Sequence, residues 1–395
     1  MFQNFSQDFA SYKDTSFINL NNGTLGLCPS VVIDQQKAEL EIFEKNTSSG
    51  YGDAWARLWR IQQGLGDFLN ANPRDLFLRP NVTLALNEII MGLNLPANSE
   101  ILTNTFEYGA VVNILKHKCQ RDDLSLRSED FSALYDCSTD EAVVEVILKA
   151  VSAKTRMLLI SHVFTGNGLI VPLAKLAREL RKRNILLVVD GAHAPGLLKL
   201  DFKQEIHEVD FYAGNLHKWF MGPKGTAFGW VHPDHQSTLN PQYGSWTMSE
   251  NVPANMASFA PPGEFASRML WSHSQSFTAY YGLEAALSYW THHKADVIRQ
   301  QIQVRMKYLK DSLADAGIFA LVNNYNSAFL CYNVGEFPHA QFQGIFLKDT
   351  PLQVGLPRLP GAQILRLTPH IHNTQEELSK AVQILKDHRT GLSKV

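Results

Sequence analysis

The chain of 395 residues is poor in cysteine: Cys28, Cys119, Cys137 and Cys331 are scattered, with no CxxC pair and no His/Cys spacing of a zinc site. That excludes a disulfide framework and a structural metal, and leaves four thiols expected to be reduced. No stretch reaches the ~18 apolar residues of a membrane span. The opening MFQNFSQDFA has neither a basic n-region nor an apolar h-region. The expectation is a cytoplasmic protein without a membrane, whose N-x-S/T matches at Asn4, Asn22, Asn46 and Asn81 carry no glycan. An excess of one charge is missing too: 36 Lys plus Arg face 38 Asp plus Glu, a net charge of -2. No global field gathers nucleic acid or anionic lipid, so neither is expected as a partner. Internal repeats and low-complexity tracts are absent.

What is present is a globular composition, 45% hydrophobic and 10% aromatic. At ~150 residues per domain the length allows two to three domains. The clearest pattern is MLLIS at 157–161, PLAKLARELRKR at 172–183 and ILLVVD at 185–190. The helical segment carries Leu173, Leu176, Ala177 and Leu180 on one stripe, with Pro172 at its start, where a missing N–H is harmless. Strand, helix, strand in this order implies a right-handed crossover and a parallel sheet. Further strands are expected at 100–106, 209–214 and 225–232. A helical stretch near 280–316 precedes short strands at 327–334 and 363–369, and a helix is expected over 374–389. Residues 25–270 therefore form a large α/β domain, and residues 1–24 and 271–395 a smaller α+β domain. The proline-rich segment 241–275 is expected to be an ordered part of the active site or of an interface.

Several chemistries fail on their central residues. Gly64 and Gly66 begin a dinucleotide fingerprint, but Leu69 stands at its third glycine and no strand precedes it. There is no GxxxxGK[ST] loop and no GxSxG elbow. His207-Glu208 starts an HExxH motif that Phe211 ends.

One constellation survives. Asp190 closes an apolar strand and is followed by Gly191-Ala192-His193, while Lys218 follows the next strand in Asn215-Leu216-His217-Lys218. Parallel strands share one carboxyl edge, where ligands bind, and Thr165 lies beyond a strand on that edge. A lysine for a Schiff base, a carboxylate for a pyridine nitrogen and a helix start for a phosphate suit pyridoxal phosphate (PLP). Asn81-Val82-Thr83, before LALNEIIMGL, offers that helix start.

The stretches SHVFTGNGLIVP, VVDGAHAPG and DFYAGNLHKWFMGPKGTAFGWV resemble the class V branch of fold-type I PLP enzymes, and within it the isopenicillin N epimerase-like group. FINLNNGTLG at 17–26 and ILRLTPHIHNTQEEL near the end extend the resemblance over nearly the whole chain. It implies the fold-type I transferase fold, with a mainly parallel sheet in the large domain. It also implies Lys218 as the Schiff-base lysine, Asp190 at the pyridine nitrogen, His193 near the ring oxygen and Tyr108 stacked on the ring. Thr83, Asn215 and His217 match phosphate contacts, and Ser274 matches one given by a neighbouring subunit, hence an expected homodimer. Arg366 matches the grip on the substrate carboxylate. Asn22 is a candidate substrate contact or a turn residue. Thr165, a candidate cofactor contact, takes the place of an asparagine found in cysteine desulfurases, and 336–362 holds no sulfur-accepting cysteine. Lys224 is expected to be solvated.

The implied activity begins with loss of the Cα proton of an amino acid to Lys218, with Tyr108 or a water as an acid on the other face. Return of the proton on that face gives an epimerase. A class V aminotransferase or a carbon–sulfur lyase is the alternative, and a silent PLP-fold binding protein a further one.

Overall fold

The structure is a computed structural model describing residues 2–244, 264–270, 275–321, 327–333, 350–359 and 362–387. After β1 (Ile18–Leu20), helices α1 (Ser30–Lys45) and α2 (Thr47–Leu69) lead to the central sheet. Its strands are β2 (Leu76–Arg79), β3 (Glu100–Asn104), β4 (Ser125–Glu129), β5 (Thr155–Ser161), β6 (Leu186–Asp190), β7 (Phe211–Asn215) and β8 (Ala227–Val231). They lie in the order β2-β8-β7-β6-β5-β3-β4. Neighbours from β7 through β4 are parallel, whereas β8 runs antiparallel to both β7 and β2. The link between β7 and β8 is too short for a crossover helix, so the chain returns antiparallel; this link carries Lys218.

Helices α3 (Val82–Gly92), α4 (Gly109–Asp122), α5 (Asp140–Lys149) and α6 (Leu173–Arg181) connect the parallel strands. Both faces of the sheet are covered, which is why β5 and β6 read as continuous apolar runs rather than alternating ones. Leu158, Ile160, Leu187 and Val189 enter one apolar layer, and Met157, Leu159 and Val188 the other. The expected stripe of α6 is buried on the sheet.

Beyond α7 (Pro233–Gln236) and α8 (Phe265–Leu270) come α9 (Thr278–His292) and α10 (Ala295–Asp315). The single helical stretch expected near 280–316 is thus two helices, broken at Lys294, whose φ of 62° no helix accommodates. β12 (Ala362–Leu367) pairs antiparallel with β9 (Leu330–Asn333) and β11 (Arg358–Leu359), and α11 (Gln375–Asp387) follows. β10 (Leu352–Val354) pairs with β1, and Asn21 bridges to Thr368. The N-terminal segment is thereby laid beside Arg366 on β12.

The chain leaves β3 toward β4 on one side, and from β5 toward β6 and β7 on the other. The order reverses between β3 and β5, and a crevice at the carboxyl ends beside such a reversal is where open α/β sheets bind ligands.

Candidate active site

A cavity of about 340 Å³ occupies that crevice. Tyr108 and Thr165 reach it from beyond β3 and β5, Asp190 and His193 from β6, and Asn215, His217 and Lys218 from β7. Thr83 on α3 and Arg366 on β12 complete it. Lys218 is half-buried. Burial, with the charge of Arg366, pushes its ammonium down to about 8, against the opposing pull of Asp190. About a fifth of an amine so placed is neutral at pH 7.4, far more than of an ordinary lysine. Its backbone is fixed by the N-terminal segment: the Gly26 N–H donates to the His217 carbonyl across 2.9 Å. A Cβ at Gly26 would stand 1.9 Å from the Lys218 carbonyl oxygen, so only glycine allows this approach.

Asp190 ends β6, buried at the cavity floor, and one of its oxygens accepts the Ala192 N–H across 2.8 Å. Burial raises its proton affinity, while that hydrogen bond and Lys218 lower it. At the other end, Asn81 caps α3 by accepting the Leu84 N–H across 2.9 Å, and Val82 donates to Asn215 Oδ1 across 3.0 Å. The Thr83 N–H and hydroxyl remain for a ligand, in the first turn of a helix whose dipole favours an anion. Asn215 therefore spends its oxygen on α3 and has only its amide nitrogen to offer.

His217 Nδ1 lies 3.0 Å from the Thr226 carbonyl, which can only accept, so that nitrogen carries a proton. Burial, then the charge of Lys218, pushes the ring down to about 4, so it is neutral. His193 is also neutral, held well below the usual histidine range by burial and by Lys218 and Arg366. Its Nδ1 accepts the Trp219 indole N–H across 3.3 Å, and its Nε2 lies 3.1 Å from Thr165 Oγ1. Both nitrogens have protein partners, and the ring lines the cavity. Tyr108 caps α4 at the cavity mouth and is 59% exposed, leaving a ring face open.

Arg366 is buried, and this lowers its proton affinity. Its Nη1 donates to Thr165 Oγ1 across 2.6 Å and its Nη2 to Thr24 Oγ1 across 2.9 Å. Its Nε finds no partner among the described residues.

Of the two readings of Asn22, the structure favours the turn residue. Asn22 does not line the cavity: its amide donates to the Thr368 carbonyl across 2.9 Å and its oxygen meets His372 Nε2 at 3.0 Å. A side chain so saturated ties the N-terminal segment to the chain beyond β12 and has nothing left for a substrate. Lys224 is exposed, as expected, and its amine also donates to the Gly26 carbonyl across 2.5 Å. Ser274, with 245–263 of the proline-rich segment, lies outside the described residues.

Sequence reasoning missed Thr24, Trp219 and Glu107. Glu107 precedes Tyr108, is buried, and accepts from the Ser161 N–H at 2.8 Å, the Ser161 hydroxyl at 2.5 Å and the Asn104 amide at 2.7 Å. Burial, together with the nearby Asp190 charge, pushes it up to about 7 despite these bonds. An acidic residue at a carboxyl strand end was the available signal. No group of three metal-ligating side chains occurs among the described residues.

A half-buried amine near neutrality, a buried carboxylate opposite and an open helix start fit PLP. Its aldehyde would meet Lys218, its ring nitrogen Asp190 and its phosphate Thr83.

The family profile described as Aminotransferase class-V matches residues 18–352. Isopenicillin N epimerase of Streptomyces clavuligerus is 33% identical over 235 residues, 59% of this chain and 58% of that protein. A probable chloroplastic L-cysteine desulfhydrase of Arabidopsis thaliana is 24% identical over 258 residues, 60% of this chain and 54% of that protein. The match thus spans little more than half the length of these relatives. Among solved structures, a C-DES mutant with glycine covalently linked to the PLP cofactor superposes with a TM-score of 0.86 at 22% identity. It covers 98% of this chain and 100% of its own, and the likeness establishes the fold.

Proposed function

The chain belongs to the aminotransferase class-V family, and from that premise we propose that it is a PLP-dependent enzyme acting at the α-carbon of an amino acid, as an epimerase of the isopenicillin N epimerase-like kind. The observation that carries this reading is the convergence of Lys218, Asp190 and Arg366 on one cavity, with the lysine pushed down to about 8.

PLP, when bound, supplies an electron sink that acidifies the Cα–H of an attached amino acid. Asp190 would hold the proton of the ring nitrogen, and the Thr83 N–H and hydroxyl would take the phosphate, with Asn215 Nδ2 beside them. A neutral His217 has its Nδ1–H on a carbonyl, so it would serve the phosphate only on gaining a second proton, which the phosphate charge favours. Arg366 would grip the substrate carboxylate and so fix which Cα bond faces Lys218. The amine of Lys218, once free, takes the Cα proton as a general base. Epimerisation needs a proton delivered from the other face, and Tyr108, at the mouth, is the residue we assign to it.

Identity of 33% to two epimerases favours that outcome. A carbon–sulfur lyase is the second reading, supported by the desulfhydrase relatives and by a structural neighbour described as a cystine C–S lyase in complex with cysteine persulfide. A desulfurase that parks sulfur on its own cysteine is disfavoured, since among the described residues no cysteine lines the cavity. Cys331, the cysteine beside Arg366, is buried with its thiol pushed up to about 12.

We assign cofactor binding to residues 25–270 and cover of the site to residues 1–24 and 271–395, in a cytoplasmic homodimer. Exposed Leu25 and Tyr108 at the cavity, with Val31, Leu40 and Ile42 on α1, support the dimer. Four free cysteines support the reducing compartment. No described helix is long and apolar enough to cross a membrane.

The test is reconstitution: purified protein given PLP should turn yellow, with a visible band that borohydride bleaches and that Lys218→Ala lacks. A protein that takes up no PLP, or does so equally without Lys218, overturns the reading.

A further inference from the structure

Glu107 lies just beyond β3, is buried, and has only neutral hydrogen-bond partners among the described residues. Its Oε1 accepts both the Ser161 N–H and the Asn104 amide, across 2.8 and 2.7 Å, and its Oε2 accepts the Ser161 hydroxyl across 2.5 Å. Ser161 lines the cavity and is the register partner of Asp190 on the next strand. The charge of Asp190 reaches Glu107 and raises its proton affinity, and a Coulomb interaction is mutual.

Little else offsets this charge. Tyr212 on β7 also feels Asp190, but burial keeps it a neutral phenol, and His162 after β5 is neutral, pushed down to about 3 by burial. Among the described residues Lys218 brings the cationic charge to Asp190, and its amine gives that charge up on meeting an aldehyde. A protonated ring nitrogen at Asp190 would replace it, and two ionised carboxylates hold such a cation more firmly than one.

Ser161 carries the state of Glu107 to the cavity wall. Oε1 of Glu107 already accepts two donors, so an added proton goes to Oε2 and points at the serine oxygen. The hydroxyl proton of Ser161, until then on Glu107, is released toward the cavity.

We propose that Glu107 is a positioning residue for the cofactor: ionised, it reinforces from behind the hold of Asp190 on a protonated ring nitrogen, and protonated, it withdraws that support. The hold on the nitrogen therefore strengthens as pH rises. The inference rests on the reading of Asp190 as the partner of that nitrogen.

The test measures the affinity of the apoprotein for PLP and for the carbocyclic analogue with C–H in place of the ring nitrogen; their ratio isolates the nitrogen contact. Wild type should prefer PLP, and Asp190→Asn should lose most of the preference; a wild type without preference removes the Asp190 reading and this proposal with it. If that first arm holds, Glu107→Gln, which cannot ionise and puts an N–H where protonated Glu107 has its O–H, should lower the preference by about tenfold at pH 8, the worth of about one pKa unit. At pH 5 wild-type Glu107 is itself protonated, so the two proteins should agree within about twofold. Titration of the free ligands is common to both proteins and cancels in the comparison. Ser161→Ala removes a bond to ionised Glu107 and should move the rise to higher pH. A Glu107→Gln deficit that is equal at the two pH values or absent at both, or a rise that Ser161→Ala leaves in place, overturns the proposal. A loss shared by PLP and the analogue does the same, since it marks a damaged pocket rather than a weakened nitrogen contact.

Discussion

Ser161 gives Glu107 both of its polar hydrogens, the N–H across 2.8 Å and the O–H across 2.5 Å. Ser161 ends β5, directly beside Asp190 in the sheet register, so two buried carboxylates lie close together beside the cavity. Burial, with the Asp190 charge beside it, pushes Glu107 from 4.5 up to about 7, and among the described residues no cation is bonded to it to offset this.

A pH dependence of stability follows. Between pH 4.5 and about 7 the unfolded chain has released this proton while the folded chain keeps it, so rising pH removes stability through that window. Glu107→Gln keeps an acceptor for the Ser161 N–H and removes the titration. Relative to wild type the variant should gain stability on going from pH 5 to pH 8, by on the order of 1–3 kcal/mol for a shift of this size. Thermal unfolding at both pH values checks it; an identical difference at the two counts against a titrating Glu107.

Lys218 sets a second dependence. Only its neutral amine attacks an aldehyde, so the rate of PLP uptake by the apoprotein should climb with pH through about 8 and then level. Asp190 favours the ammonium, so Asp190→Asn should move that midpoint to lower pH. Stopped-flow absorbance reads both; an unmoved midpoint in Asp190→Asn removes the coupling between the two residues.

Asn22 separates a structural from a substrate role. Asn22→Ala strands the Leu27 N–H and the Thr368 carbonyl, and should cost about 1–3 kcal/mol in denaturant unfolding. Amino-acid affinity of the folded variant should remain that of the wild type. A large loss of affinity with stability intact would return Asn22 to the substrate.

Much of this was legible in the chain. β5, α6 and β6 announce themselves because burial on both faces demands unbroken apolar strands, and Asp190 ends one of them. Lys218 was legible from its place after the next strand and from the motif around it. β2 and β4 were not: LFLR is short, and the edge strand SLRSE is polar with none of its residues buried, so neither carries a hydrophobic period. Thr24 and Trp219 escaped because their partners, Arg366 and His193, are far away along the chain. The tautomer of His193 depends on which partner donates, and that is fixed by three-dimensional neighbours, not by spacing. For Asn22 both readings stood open, because a polar residue beside a site reads the same whether it faces the ligand or the backbone.

The central claim is that Lys218 moves a proton at Cα of an amino acid. Its most direct test is incubation of the PLP-loaded protein with a panel of L- and D-amino acids in deuterated water, followed by chiral mass spectrometry. The account predicts solvent deuterium at Cα of a substrate, appearing in both enantiomers and abolished by Lys218→Ala. A fully loaded protein that exchanges no Cα hydrogen on any member of the panel beyond the Lys218→Ala background would contradict it.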